Sequence, residues 1–191
     1  MSPQAEVRTS ARDRLLAAAN ELFYDEGIQT VGIDRIIERA GVAKASLYNT
    51  FGSKEELIRA YLESRHARTS GRIARALARS DDPRERLLSV FDSQAELFQD
   101  PDFHGCAFAS ASAEARPGSA ADEATTAYRA WLRNLFTELA EAAGAGDPAT
   151  LAQQLHLLYD GAGLTARMDH DASVGGAARG AAAVLLDAAT T

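Results

Sequence analysis

The stretch Ala40-Gly41-Val42-Ala43-Lys44-Ala45-Ser46-Leu47-Tyr48-Asn49-Thr50-Phe51-Gly52-Ser53-Lys54-Glu55-Glu56-Leu57 decides how this chain is read. Within a helix running from Lys44 to about Thr50, Leu47 and Phe51 are four apart and face one way. Lys44 with Tyr48, and Ala45 with Asn49, face others. One side is therefore apolar, and the other offers a cation, a phenol, an amide and the Ser46 hydroxyl. Just upstream, Ile33, Ile36 and Ile37 point inward and Asp34, Arg35, Glu38 and Arg39 outward on a short helix that Gly41 breaks. Two short helices around a Gly-containing turn form the helix-turn-helix pattern, whose second helix can enter the major groove of DNA. The exposed residue types on that helix suit phosphate oxygens and base edges. The same spacing also fits a small αα corner with a solvated polar face.

Outward from this stretch the chain reads as helices with short breaks. Ser10 to Glu26 places Leu15, Leu16, Ala19, Leu22 and Phe23 on one face, and Gly27 ends the helix. Ser53-Lys54-Glu55-Glu56 reads as a capping box, with Ser53 accepting from the amide three residues on and Glu56 reaching back. Lys54 stands in that first turn, where its charge opposes the helix dipole; a nearby phosphate would make the placement reasonable. The fourth helix runs to about Arg79 over Leu57, Ile58, Tyr61 and Leu62, with Gly71 expected to loosen its middle. Breaks at Asp81-Asp82-Pro83, Asp100-Pro101-Asp102, Pro117-Gly118-Ser119 and Gly144–Pro148 separate helices five to eight. The sixth is a short helix from Cys106 to about Glu114. The last spans about Asp171 to Ala188, with Val174, Ala178, Ala181, Val184 and Leu185 on its packed face. The fold class is all-α with about nine helices. Residues 1–52 form a helix-turn-helix unit and 53–191 a second unit, connected by helix four at about 53–79.

Composition agrees. The 191 residues include 40 alanines and few β-branched types, a bias towards helix over sheet. One cysteine excludes a disulfide framework and a Cys-based structural zinc site. No apolar run approaches the roughly 20 residues that span a bilayer. The N-terminal stretch lacks the apolar core of a signal peptide, so a cytoplasmic protein without membrane association is expected. The net charge of −7 is unevenly spread: residues 1–79 carry +3 and residues 80–191 carry −10. That asymmetry fits a nucleic-acid-facing first part and a differently employed remainder.

The stretch quoted above, preceded by Leu22-Phe23 and Gly27, resembles the TetR (tetracycline-repressor-like) family of transcriptional regulators over about residues 10–60. Gly105-Cys106 opening helix six and Asp160-Gly161-Ala162 within helix eight are similar to the family's C-terminal part. The resemblance implies a three-helix DNA-binding domain, a C-terminal ligand-sensing domain, and a homodimer formed through the last two helices. Carried over residue by residue, it implies that Lys44, Ala45, Ser46, Tyr48 and Asn49 of the recognition helix face DNA. Tyr48 and Lys54 then reach phosphates, and Thr30 touches the backbone ahead of helix two. The chain departs from the family pattern at Val31-Gly32, which replace the usual Thr/Ser, and at Ile37, Ala43, Ala45 and Asn49-Thr50. Gly32 can still cap helix two at little cost.

For the second half, the expectation is dimerisation and sensing. Gly161, Gly163, Gly175, Gly176 and Gly180 give the last two helices small faces that permit close approach. Phe91, Phe98, Phe103, Cys106, Phe108, Tyr128, Trp131 and Tyr159 are the bulky or soft groups from which a pocket, or plain core, would be built. The negative balance of this half favours a neutral or cationic ligand over a polyanion. Cys106 at a helix N-terminus is a candidate redox sensor, with a thiol pKa lowered by the helix, or else a small buried hydrophobe. His66, His104, His156 and His170 show no metal-ligand spacing, and no catalytic set converges, so no cofactor, metal or enzyme activity is expected. The expected function is a repressor released from a palindromic operator by a small molecule. The alternatives are a helical adaptor without DNA binding, against which Lys44, Tyr48 and Lys54 speak, and a regulator acting through Cys106.

Overall fold

Side-chain oxygens set the helix starts. In the computed structural model, which describes residues 10–190, Ser10, Ser53, Asp82, Ser119 and Asp147 each accept a backbone N–H three residues on. They open α1 (Ala11–Glu26), α4 (Lys54–Leu77), α5 (Pro83–Phe98), α7 (Ala120–Ala142) and α8 (Pro148–Asp169). The remaining helices are α2 (Ile33–Ala40), α3 (Lys44–Phe51), α6 (Ala107–Glu114) and α9 (Val174–Ala189), which start without a side-chain cap. Among the described residues there are nine helices and no strand. Three of the uncapped helices have only eight residues, below what holds a helix together in isolation, so packing must hold them.

The packing that holds α2 and α3 begins in α1. Leu15, Leu22 and Phe23 meet Ile28, Val31, Ile36 and Leu47, all buried. Gly41, left-handed at φ 61° and ψ 44°, closes α2: its own N–H bonds Glu38 O, and the Val42 N–H reaches Ile37 O at 3.2 Å. Leu57, Ile58, Tyr61 and Leu62 of α4 complete this core, with Tyr61 edge-on to Phe23 at 5.5 Å. Further along, α4 packs on α5 and α7, and Phe91, Phe136 and Tyr159 cluster at 5.8–6.1 Å where α5, α7 and α8 meet. α4 therefore contributes to one continuous core that runs from α1–α3 into α5–α9.

Several local expectations are corrected. α4 continues unbroken through Gly71, because Ile73 and Ala76 beyond it are buried again. Only half of the capping box forms: Ser53 accepts from Glu56 N–H, but the Glu56 carboxylate lies 3.4 Å from Arg59. α9 starts at Val174 rather than Asp171, since Asp171 takes the Ser173 N–H and hydroxyl in a turn that delays the helix. The packed face of α9 is Gly175, Ala178, Ala182 and Leu186, while Val184 is 68% exposed. Gly175 sits where a Cβ would collide with Ala95, and one at Gly163 would meet Gln94 at 3.4 Å. These two glycines thus serve packing within the chain; Gly161, Gly176 and Gly180 face open space.

Candidate nucleic-acid interface and effector cavity

Leu47 is the one fully buried residue of α3, and it pins that helix so that its other side stays in solvent. Lys44, Ala45, Tyr48 and Asn49 are exposed, Tyr48 by 45%, and Ser46 is half-buried. Thr50 is exposed but spends its hydroxyl on Ser46 O at 2.6 Å. Lys44 pairs with Asp34 of α2 at 2.9 Å, which raises its pKa. The pair is exposed on both sides, so a phosphate can replace Asp34 at small cost. Thr30 is exposed in the loop between α1 and α2.

Lys54, without DNA, is turned towards the protein. Its Nζ folds back to Gln29 O at 3.5 Å and lies 6.0 Å from the Phe23 ring. Burial lowers its pKa, and the carboxylates of Glu114 and Glu55 pull it back up. Two arginines of α1 adjoin the recognition helix without having been singled out in the sequence. Arg12 sits 5.2 Å over the Phe51 ring, and Arg14 donates to Gly41 O at 3.3 Å. The positive balance of the first part pointed to cations here, but only the fold brings these two to the motif.

Between α6, α7 and α8 lies a cavity of about 400 Å³. Phe108 and Tyr128, stacked at 3.8 Å, form its apolar wall, with Cys106, Ala109, Ser112, Thr125, Gly161 and Leu164 beside them. The Thr125 hydroxyl is buried there and has no hydrogen-bond partner among the described residues. Arg129 and Asp160 pair at 2.8 Å on its edge, with His156 Nε2 3.6 Å from the same carboxylate. A larger cleft of about 560 Å³ between α1, α4 and the segment joining α5 to α6 is lined by Arg65, Arg68, Arg72 and Arg75 and by carboxylates. Its walls are those of a solvated surface; the smaller cavity has the apolar walls and few placed polar groups of a small-molecule site.

Of the residues put forward for a pocket, Cys106, Phe108 and Tyr128 line this cavity. Phe91 and Tyr159 are instead core, packed with Phe136; Tyr159 receives a 3.4 Å hydrogen bond from Arg72. Trp131 packs on His66 at 4.6 Å, and Phe98 and Phe103 pack on each other at 5.0 Å. Thr125, Arg129 and Asp160 were not foreseen, because their convergence depends on how α7 crosses α8. The expected acidification of Cys106 is reversed. The residue keeps exposed surface, yet protein around the sulfur pushes the thiol pKa up, outweighing the Ala109 and Phe108 N–H groups that lower it. Among the described residues no three potential ligands group around a metal position, and no helix is long and apolar enough to cross a membrane.

Polar contacts tie α1, the loop after it and the start of α4 to the segment around α6 and to the start of α7. The Tyr24 hydroxyl donates to Gly105 O at 2.9 Å and accepts the His104 N–H at 3.0 Å, while His104 Nδ1 meets Asp25 at 3.0 Å. Glu55 accepts the Ala120 N–H, and Arg59 pairs with Glu123 at 2.9 Å. Glu114 accepts the Gln29 N–H at 2.7 Å.

Two family models match the chain, one in each part. Residues 15–61 match the model of bacterial regulatory proteins of the tetR family, and residues 83–182 that of the tetracyclin repressor-like C-terminal domain. A TetR-family transcriptional regulator from Streptomyces coelicolor, SCO4454, superposes with a TM-score of 0.88 at 33% identity over 95% of this chain and 96% of that one. The HTH-type transcriptional activator FasR of Mycolicibacterium smegmatis is 38% identical over 45% of this chain and 39% of its own length. The HTH-type transcriptional repressor NemR of Escherichia coli is 28% identical over 82% of this chain and 84% of its own. NemR apart, the chain spans about half, or less, of the curated relatives it matches. With both halves matched and the recognition helix exposed on a buried leucine, the chain belongs to the tetR family of bacterial regulatory proteins, DNA-binding regulators of transcription.

Proposed function

We propose that the chain is a homodimeric repressor, acting in the cytoplasm, that leaves a palindromic operator when a small molecule fills the cavity between α6, α7 and α8. The observation that carries this reading is the buried Thr125 hydroxyl, without a hydrogen-bond partner among the described residues, in a cavity whose other polar lining groups are Cys106, Ser112 and the mutually paired Arg129 and Asp160. A buried hydroxyl without a partner costs free energy that a ligand able to hydrogen-bond can recover. Asp160 is already paired with Arg129, so the cavity offers no uncompensated charge. This favours a neutral, largely apolar effector with one hydrogen-bonding group, and narrows the neutral-or-cationic expectation drawn from net charge.

Two recognition helices must lie about 34–36 Å apart to read one face of DNA, so operator binding itself calls for a dimer. Leu157, Leu164 and Met168 of α8 and Val184 of α9 are all more than half exposed, and Gly161 beside them faces open space. Such a stripe suits the isologous face of a dimer. Because Gly161 and Leu164 also flank the cavity, a second copy there would cover its mouth. An effector shifts DNA affinity only by its differential affinity for the two conformations, typically about 1–3 kcal/mol of coupling.

The test screens small neutral aromatic compounds by Trp131 fluorescence and carries hits into an operator-release assay. Thr125→Val is expected to fold as well as wild type, since it replaces an unsatisfied hydroxyl by a methyl. It should lose the response to any effector that hydrogen-bonds there. A Thr125→Val protein responding normally to every hit would move the effector site elsewhere.

A further inference from the structure

Glu114 belongs neither to the recognition helix nor to the cavity lining, yet it reaches the DNA-reading unit. It is the last residue of α6, and its Oε2 accepts the backbone N–H of Gln29 at 2.7 Å. The approach depends on Gly27: at φ +94° that residue occupies a backbone region that L side chains rarely adopt, and a Cβ there would collide with Glu114 Oε1. The carbonyl of the same Gln29 takes the ammonium of Lys54 at 3.5 Å. One residue of the 27–32 loop is thus held between a carboxylate from the sensing half and a lysine at the start of α4. The carboxylate also attracts that lysine through space, against the desolvation of its partly buried ammonium. Glu114 and Lys54 meet through Gln29, and a carboxylate oxygen that accepts a loop N–H close to a lysine is chemically a stand-in for a DNA phosphate.

We propose that Glu114 is a positioning residue that competes with DNA phosphate for Lys54, so that α6 holds this ammonium and the loop carrying Thr30 back until DNA displaces it. The inference rests on the reading of residues 28–54 as the DNA interface. The same short helix presents Phe108, Ala109 and Ser112 to the cavity, which puts the restraint within reach of a bound effector.

The test measures binding of the full chain to a short mixed-sequence duplex by fluorescence anisotropy across salt concentrations. Wild type, Glu114→Gln, Lys54→Ala and the double variant are compared. Gln keeps an acceptor for the Gln29 N–H and removes only the charge, and Glu114→Ala serves as a second variant that removes both. Glu114→Gln is expected to bind more tightly at low salt. Its affinity should fall about 3- to 4-fold more than wild type between about 50 and 200 mM salt for each ammonium recruited. In the Lys54→Ala background the Glu114 substitution should change neither affinity nor slope. Equal tightening in that background would mean a general charge effect and overturn the proposal, as would no change in slope from either Glu114 variant. If Lys54→Ala fails to weaken binding even alongside Glu114→Gln, the interface reading itself is at fault.

Discussion

Tyr48→Phe isolates one oxygen of the recognition helix. The ring is 45% exposed, and its hydroxyl has no hydrogen-bond partner among the described residues. Its removal therefore breaks nothing in the free protein, and a surface change of this kind should alter folding stability by no more than about 0.5 kcal/mol. In the proposed DNA complex the hydroxyl would donate to a phosphate oxygen. A net hydrogen bond is worth about 0.5–1.5 kcal/mol, so two recognition helices lose about 1–3 kcal/mol, roughly 5- to 150-fold in Kd. The substitution adds and removes no cation, so the slope of log affinity against log salt should not move. Anisotropy titrations of wild type and variant on one duplex at several salt concentrations give both quantities. Unchanged affinity would remove Tyr48 from the interface, and a changed slope would show that the substitution disturbed the cations around it.

Two further outcomes follow from burial. Leu47→Ala should cost about 2–5 kcal/mol by urea denaturation followed by circular dichroism, with loss of specific DNA binding, because this fully buried side chain anchors α3. A cost below about 1 kcal/mol would mean that α3 is held by something else. Burial lowers the pKa of His156, with nearby Asp160 opposing it, and burial lowers that of His66 as well. A histidine whose folded pKa lies below its unfolded value favours the unfolded state once protons bind. Stability should accordingly fall as pH drops below the ordinary histidine value of 6.5, and His156→Gln should blunt the fall. Denaturation midpoints between pH 8 and pH 5 check this; a midpoint that rises on acidification through that range contradicts the sign.

Much of the architecture was legible because its punctuation is local. Ser10, Ser53 and the Asp82-Pro83 pair start helices, and Gly27, Gly41 and Gly52 stop them, each through a hydrogen bond or backbone angle set within a few residues. The exposed face of α3 was legible for the same reason: Leu47 buried and Tyr48 free is a matter of helical phase. What was not legible depends on residues far apart in the chain. Glu114 reaches Gln29 across 85 positions, and Thr125, Arg129 and Asp160 converge only when α7 lies on α8. Aromatic residues at helical spacing gave no means of separating Tyr128, which lines the cavity, from Phe91, which fills the core. Nor could the glycines of the last two helices declare which were needed inside the chain, as Gly175 is against Ala95, and which left an open face.

Whether a dimer reads a short operator through α3 is decided by selection on DNA. Purified protein, unfolded and refolded without small molecules, is offered genomic fragments at about 150 mM salt, where non-specific phosphate binding is weak, and the bound fragments are footprinted. The expected result is a palindrome whose half-sites are about one helical turn apart, protected on one face of the duplex. Absence of any enriched sequence from the refolded protein, or protection of a single half-site by a monomer, would contradict it.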